Sequence, residues 1–173
     1  MPTAGTHTPA PEIRDPLSRV RYRMEPAGED LVMEACIEPG GALLPHLHPE
    51  QEEVWTVLEG KVRFRLGRGE RVIAPEDGEV HVGRGMVHSL TNLSDSEVRL
   101  HCVVTPALQR QSFLEEGAAA ARDGLLTAQG FPRGLTGARF AAAFLRRYRR
   151  EVVFVSPPRS FQLVLMALLG RGA

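Results

Sequence analysis

The sequence has no excess of charge of either sign and no long apolar run. Its 21 lysine and arginine residues balance 21 aspartate and glutamate residues. The overall charge therefore offers no attraction to nucleic acid or to anionic lipid. The most apolar segment, FQLVLMALL at residues 161–169, is far shorter than the roughly 20 residues that span a bilayer. These absences predict a protein with no nucleic-acid partner and no membrane span.

Cysteine is also scarce. The chain has 2 cysteines, Cys36 and Cys102, and each lies alone in a stretch where apolar and polar residues alternate. One pair in a chain of this length is no disulfide framework, so we expect two reduced thiols in the core. Residues 1–16 contain no apolar run long enough for a signal peptide. We expect a disordered arm there, with His7 in solvent, and a cytoplasmic protein.

Length and patterning indicate one domain. A chain of 173 residues with 43% apolar content is typical of one globular unit with its own core. From residue 17 to residue 106, short alternating stretches are separated by Gly and Pro turns. This pattern predicts an all-β fold, an antiparallel double-sheet jelly-roll β-barrel. After residue 106 the apolar period becomes helical, so residues 107–173 are predicted to form a helical extension that packs on the barrel or on a dimer partner.

One segment, GGALLPHLHPEQEEVWTVLEG at residues 40–60, carries side chains suited to metal binding. His46 and His48 are two positions apart, so on a strand their side chains leave the same face, with Cα atoms roughly 6.6 Å apart. The PEQE sequence that follows predicts a tight turn, and the stretch after it a strand. A hairpin therefore brings Glu53 back beside the two histidines.

The spacing of these residues resembles the two sequence motifs of the cupin superfamily. The matching positions are Gly40, His46, His48, Glu53 and Gly60 in the first motif, and Gly85, His88 and Asn92 in the second. The resemblance implies a cupin fold in which His88 is the fourth ligand beside the two histidines and Glu53. It also implies one divalent metal ion, of iron, manganese, nickel or zinc.

Strand parity indicates which side chains surround such a site. Residues two or four positions from Glu53 and His88 point the same way as those ligands. The predicted pocket residues are Trp55, Val57, Met86 and Leu90. For Trp55 a role in the core is favoured over one in the pocket, although core and pocket wall often share a surface in a small barrel. Asn92 is expected to fix a turn.

The strand at residues 98–104 permits two orientations. Either Leu100 and Cys102 face the interior, or Arg99 and His101 do. We favour the first, which leaves His101 outside with no ligand role.

The C-terminal third predicts three helices. The sequence SFLE at residues 112–115 has the pattern of a capping box, and that helix is expected to end near Gly124. The others are predicted from Thr136 or Gly137 to about Arg150, and over residues 161–169. The arginine-rich end of the second helix fits a solvated helix terminus better than a nucleic-acid patch. The third is too apolar to be left in water, which favours a homodimer.

A metal with three imidazoles and one carboxylate keeps two positions of an octahedral ion for water, dioxygen or substrate oxygens. The resemblance, which includes dioxygenases of the quercetinase type, implies an enzyme acting on a small oxygenated organic molecule, with oxidation favoured. A non-redox cyclase or isomerase and a noncatalytic small-molecule-binding cupin are the alternatives, because fold and motif do not choose among them. Glu53 is the one ligand that can also serve as a catalytic base.

Overall fold

The structure is a computed structural model, and it describes residues 11–169. Eleven strands and three α-helices lie in this range. The strands are β1 (Ile13–Asp15), β2 (Val20–Ala27), β3 (Asp30–Ile37), β4 (Ala42–Leu47), β5 (Glu52–Glu59), β6 (Val62–Leu66), β7 (Gly69–Ile73), β8 (Glu79–Val82), β9 (His88–Thr91), β10 (Val98–Thr105) and β11 (Val153–Phe154). The helices are α1 (Arg110–Arg122), α2 (Gly134–Arg147) and α3 (Arg159–Leu169).

The strands form two antiparallel sheets of jelly-roll type. A six-stranded sheet has the order β1-β2-β3-β10-β5-β8, and a five-stranded sheet has the order β11-β4-β9-β6-β7. Apolar side chains of both sheets meet in one core, which includes Trp55, Phe64, Leu90 and Leu100. The double-sheet jelly roll predicted from the sequence is thus confirmed. Among the described residues, the strands of one sheet do not pair with the strands of the other. The two sheets therefore do not close into a continuous barrel.

Alternation along the strands determines which residues enter the core. In β3 and β10 every second side chain is buried. Leu100 and Cys102 are both fully buried, while His101 is only half-buried. The favoured orientation of this strand is confirmed, because it places the apolar set between the sheets. Cys36 and Cys102 are free thiols, as expected. Only Cys102 lies in the core, whereas Cys36 is half-buried on the outer face of β3, so its predicted core position is wrong.

Two predicted boundaries need correction. The disordered arm was predicted over residues 1–16, yet Ile13–Asp15 form β1 and pair with β2. Residues 1–10, including His7, lie outside the described residues. The predicted extension is also more than helical, because Val153–Phe154 pair with β4 and complete the five-stranded sheet.

Helix α1 starts two residues before the predicted capping box. Its N-cap residue Gln109 makes no side-chain cap. Instead, the Gln109 backbone N–H donates to the Glu151 carboxylate at 2.9 Å. A carboxylate from a distant segment therefore satisfies the helix N-terminus, which a local motif search does not detect. No helix among residues 11–169 is both long and apolar enough to cross a membrane.

The turn after β9 depends on Asn92, which is fully buried. Its side-chain amide donates to the Ile37 carbonyl at 2.9 Å and to the Ser96 carbonyl at 2.7 Å. Its carbonyl oxygen accepts from the Ser94 backbone N–H at 2.9 Å. The expectation that Asn92 fixes a turn is confirmed. The turn connects β9 to β10, and the Asn92 side chain ties it to the end of β3.

We predict that Asn92→Ala lowers the free energy of unfolding by about 2 to 3 kcal/mol, because it leaves buried backbone groups without partners. Urea denaturation measures the loss. Ser94→Ala, which removes only one hydroxyl from the same turn, is the control and should cost less than about 1 kcal/mol. Equal stability of Asn92→Ala and the wild type would contradict this role.

Candidate metal centre

Three histidines converge at one end of the five-stranded sheet. His46 lies on β4 opposite His88 of β9, and His48 follows two residues later. The ring centroids are 4.2 Å apart for His46 and His88, 4.7 Å for His46 and His48, and 5.2 Å for His48 and His88. One nitrogen from each ring lies within 4.8 Å of the others, close enough to share a metal ion. The structure therefore brings together all three predicted histidine ligands.

Backbone carbonyls fix the tautomer of each imidazole. In every ring Nδ1 faces a carbonyl oxygen, so it must carry the hydrogen and donate it. The contacts are His46 to Leu44 at 2.6 Å, His48 to Glu151 at 2.5 Å, and His88 to Met86 at 3.1 Å. The Nε2 lone pairs are left for another partner. Metal-binding histidines are commonly oriented in this way by the second nitrogen.

The Nε2 atoms of His48 and His88 face the carboxylate of Glu53. The distances are 3.1 Å from His48 Nε2 to Oε1 and 3.1 Å from His88 Nε2 to Oε2. His88 Nε2 is buried and makes no hydrogen bond. With the protons on Nδ1, imidazole and carboxylate present acceptors to each other, which is unfavourable unless a cation lies among them. The donor set thus fits a divalent metal ion.

Glu53 is a buried carboxylate with strong donors on both oxygens. It is 2% exposed, and it accepts from Trp55 Nε1 at 2.8 Å on Oε2 and from Arg110 Nη2 at 2.8 Å on Oε1. Burial by itself raises the pKa of this carboxyl, but the Arg110 guanidinium holds the pKa well below its usual range. Glu53 is therefore an anion in the folded protein.

Burial also favours the neutral form of His46 and His48. Burial lowers the pKa of His46, and the neighbouring His88 and His48 lower it further. Burial also lowers the pKa of His48, with the positive charge of Arg110 as the next cause. A neutral imidazole is the form that binds a metal, so the pocket prepares these two side chains for ligation.

Arg110 is the site residue that the sequence analysis missed. It is the first residue of α1 and is only 4% exposed. Besides pairing with Glu53, its Nη2 lies 2.9 Å from His48 Nδ1 and 3.1 Å from Nε2, which places it over the imidazole ring. The one signal in the sequence is a cation in the first turn of a helix, where the helix dipole disfavours it.

A cavity of about 550 Å³ opens beside this cluster. His46, Glu53, Trp55 and Arg110 contribute to its wall. The rest of the cavity wall is formed largely by apolar side chains of the three helices and of the segment around β11. The C-terminal extension therefore covers the site and supplies much of its shape.

Only part of the predicted pocket lines this cavity. Trp55 does, while Val57 and Leu90 are buried in the core, at 4% and 0% exposure, away from the cavity wall. Met86 is 41% exposed and is likewise not a lining residue. Its assignment is corrected: Met86 lies in a turn closed by its N–H donating to the Gly83 carbonyl at 3.1 Å, where strand parity does not apply.

Comparison with known families agrees with the fold. Residues 33–104 match the family profile Cupin_2, described as a cupin domain. This segment contains the three histidines, Glu53 and both motifs. Residues 33–104 therefore form a domain of the cupin superfamily. No curated protein sequence matches it.

Solved structures share the architecture. A structure of an RmlC-like cupin from Shewanella frigidimarina has 19% identity and a TM-score of 0.51, over 63% of this chain and 93% of that one. KdgF from a Halomonas species has 14% identity and a TM-score of 0.50, over 57% and 89%. The protein TT1209 from Thermus thermophilus has 28% identity and a TM-score of 0.46, over 50% and 84%. The first two support the fold alone.

We expect His48→Ala and His88→Ala to lower the affinity for zinc by at least about tenfold, because each removes a ligand whose orientation is already fixed. Competition with a chromophoric chelator, on protein without a histidine tag, gives the affinity. His81→Ala, at an exposed histidine of β8, is the control and should bind zinc like the wild type. Equal affinity in all four proteins would exclude the histidine cluster as the metal site.

Proposed function

We propose that this protein is a metal-dependent cupin enzyme that acts on a small oxygenated organic substrate, with oxidation as its reaction class. His46, His48, His88 and Glu53 would hold one divalent ion of iron, manganese, nickel or zinc. The observation that carries the proposal is the common orientation of the three imidazoles. Their Nδ1 hydrogens are all used by backbone carbonyls, and their Nε2 atoms converge beside a covered cavity.

When bound, such an ion polarises a substrate oxygen and, if redox-active, supports oxidation by dioxygen. The side chains of this protein supply the remaining requirements. The apolar wall excludes water and receives the carbon skeleton of a substrate. The imidazoles and Glu53 are held by fixed hydrogen bonds, so little reorganisation is needed on binding.

Glu53 is proposed both as a ligand and as the proton acceptor. Its low pKa makes it a weak base while Arg110 is in contact with Oε1. A base role therefore requires this contact to loosen, so that the carboxylate turns towards a substrate proton. If Glu53 instead stays in place, it acts as a charge-balancing ligand only.

Turnover assays separate the proposed reaction classes. We predict oxygen-dependent conversion of a flavonol or a diketone by protein loaded with iron, manganese, nickel or zinc, and loss of conversion under nitrogen. Conversion that persists without oxygen would favour a cyclase or isomerase. No conversion with any metal, despite metal binding, would favour a noncatalytic binding protein.

Glu53→Gln tests the base role within the same assays. We predict a loss of about 10² to 10⁴-fold in kcat with partial retention of metal affinity, because an amide cannot accept the proton. Metal content is measured on the same samples. Unchanged kcat in a metal-loaded variant would remove Glu53 from proton transfer.

A homodimer through α3 is proposed from the exposed apolar side of that helix. Phe161, Val164 and Leu168 lie on one side of α3 and are each more than half exposed. Such a surface is unfavourable in water and suits contact with a second copy.

We predict that Val164→Glu with Leu168→Glu yields a monomer in size-exclusion chromatography with light scattering. Val72→Glu, at a similarly exposed valine of β7, should leave the mass unchanged, and a dimer in both variants would contradict the interface.

A further inference from the structure

Aromatic side chains are concentrated around the cavity. The chain has 7 phenylalanines and 1 tryptophan. The cavity wall includes Trp55 and every phenylalanine except Phe64, namely Phe113, Phe131, Phe140, Phe144, Phe154 and Phe161. Several of these rings also contact one another, as in the pair Phe113 and Phe144 with centroids 5.1 Å apart. Such a wall suits a ligand with an aromatic body, which packs by offset or edge-to-face contacts.

Arg110 places a permanent positive charge in this aromatic wall. Its Nη2 faces Glu53, but its Nε is buried and has no hydrogen-bond partner among the described residues. Asp15, another charged residue of the wall, already accepts from the Leu17 backbone N–H at 2.9 Å and the Ser18 hydroxyl at 2.5 Å. A buried donor without a partner is costly, so a ligand oxygen that accepts from Arg110 would be stabilised there.

The charge of the site favours an anionic ligand. A divalent ion on the histidines, together with Arg110, exceeds the single negative charge of Glu53. Uncompensated positive charge beside an apolar cavity is unfavourable, because few water molecules can solvate it. A bound carboxylate offsets this excess, and the planar guanidinium matches its geometry.

We propose that the cavity binds an aromatic carboxylate, with the ring among the phenylalanines and the carboxylate on Arg110. This inference rests on the proposed function and gives it a substrate class. Arg110 is then the residue that selects the anionic head, while the aromatic wall selects the body. A cavity of about 550 Å³ lies within the range of small-molecule sites, generally about 300 to 1,000 Å³.

Three probes test the class on the zinc-loaded full chain. They are 3-phenylpropanoate, its uncharged counterpart 3-phenylpropan-1-ol, and the aliphatic acid octanoate. Trp55, as the sole tryptophan and a wall residue, reports binding by its fluorescence. We expect 3-phenylpropanoate to bind at least about tenfold more tightly than either other probe. Equal affinity for the alcohol would overturn the carboxylate assignment, and tighter binding of octanoate would overturn the aromatic one.

Arg110→Met tests the residue itself. We expect affinity for 3-phenylpropanoate to fall about 10- to 100-fold, the usual range for a hydrogen bond to a charged group, with the alcohol unaffected. Arg110→Lys keeps the charge and should retain part of the affinity. Arg139→Met removes one exposed arginine from the neighbouring helix α2 and should bind like the wild type. Unchanged binding of the acid by Arg110→Met would exclude Arg110 as the anion site.

Zinc affinity of the same variants separates this role from general damage to the site. The guanidinium and a bound cation compete for Glu53 Oε1, so Arg110→Met should bind zinc at least as tightly as the wild type. A disrupted fold would weaken the binding of both zinc and 3-phenylpropanoate. If zinc binds and 3-phenylpropanoate does not, the substrate class is wrong and the metal function stands. If the acid binds through Arg110 but zinc does not bind, the metal function fails and the anion site stands.

Discussion

The buried ion pair between Glu53 and Arg110 is the contact on which the site depends. It joins a strand of the six-stranded sheet to the first residue of α1, at a separation of 2.8 Å. Removing one member of such a pair typically costs about 3 to 5 kcal/mol, because the other charge stays buried. The pair also sets the electrostatics around the histidines: it keeps Glu53 anionic and adds positive charge beside His48.

The C-terminal extension contributes directly to the candidate metal centre. Glu151 contributes twice, through a carbonyl that orients His48 and a carboxylate that satisfies the N-terminus of α1. Strand β11 pairs with β4 opposite His46. The position of α1 and the orientation of His48 therefore both depend on Glu151.

Sequence reasoning predicted the jelly roll and the three histidines because both follow from local rules. Strand alternation decides burial, and His46 and His48 lie two positions apart on one strand. The position of Met86 was wrong because a turn interrupts that alternation. Arg110 and Glu151 were not found, since their partners lie 57 and 42 or more residues away and no periodic pattern encodes such contacts. The depressed pKa of Glu53 depends on Arg110 and was equally inaccessible.

The carbonyl that fixes the His48 tautomer lies 103 residues further along the chain. During synthesis the motif that carries His46, His48 and Glu53 leaves the ribosome long before Glu151 does. A nascent chain that ends before this point has the ligands but lacks the acceptor that directs the His48 lone pair inward. The orientation of all three imidazoles is consequently complete only after the segment that carries Glu151 has docked against His48.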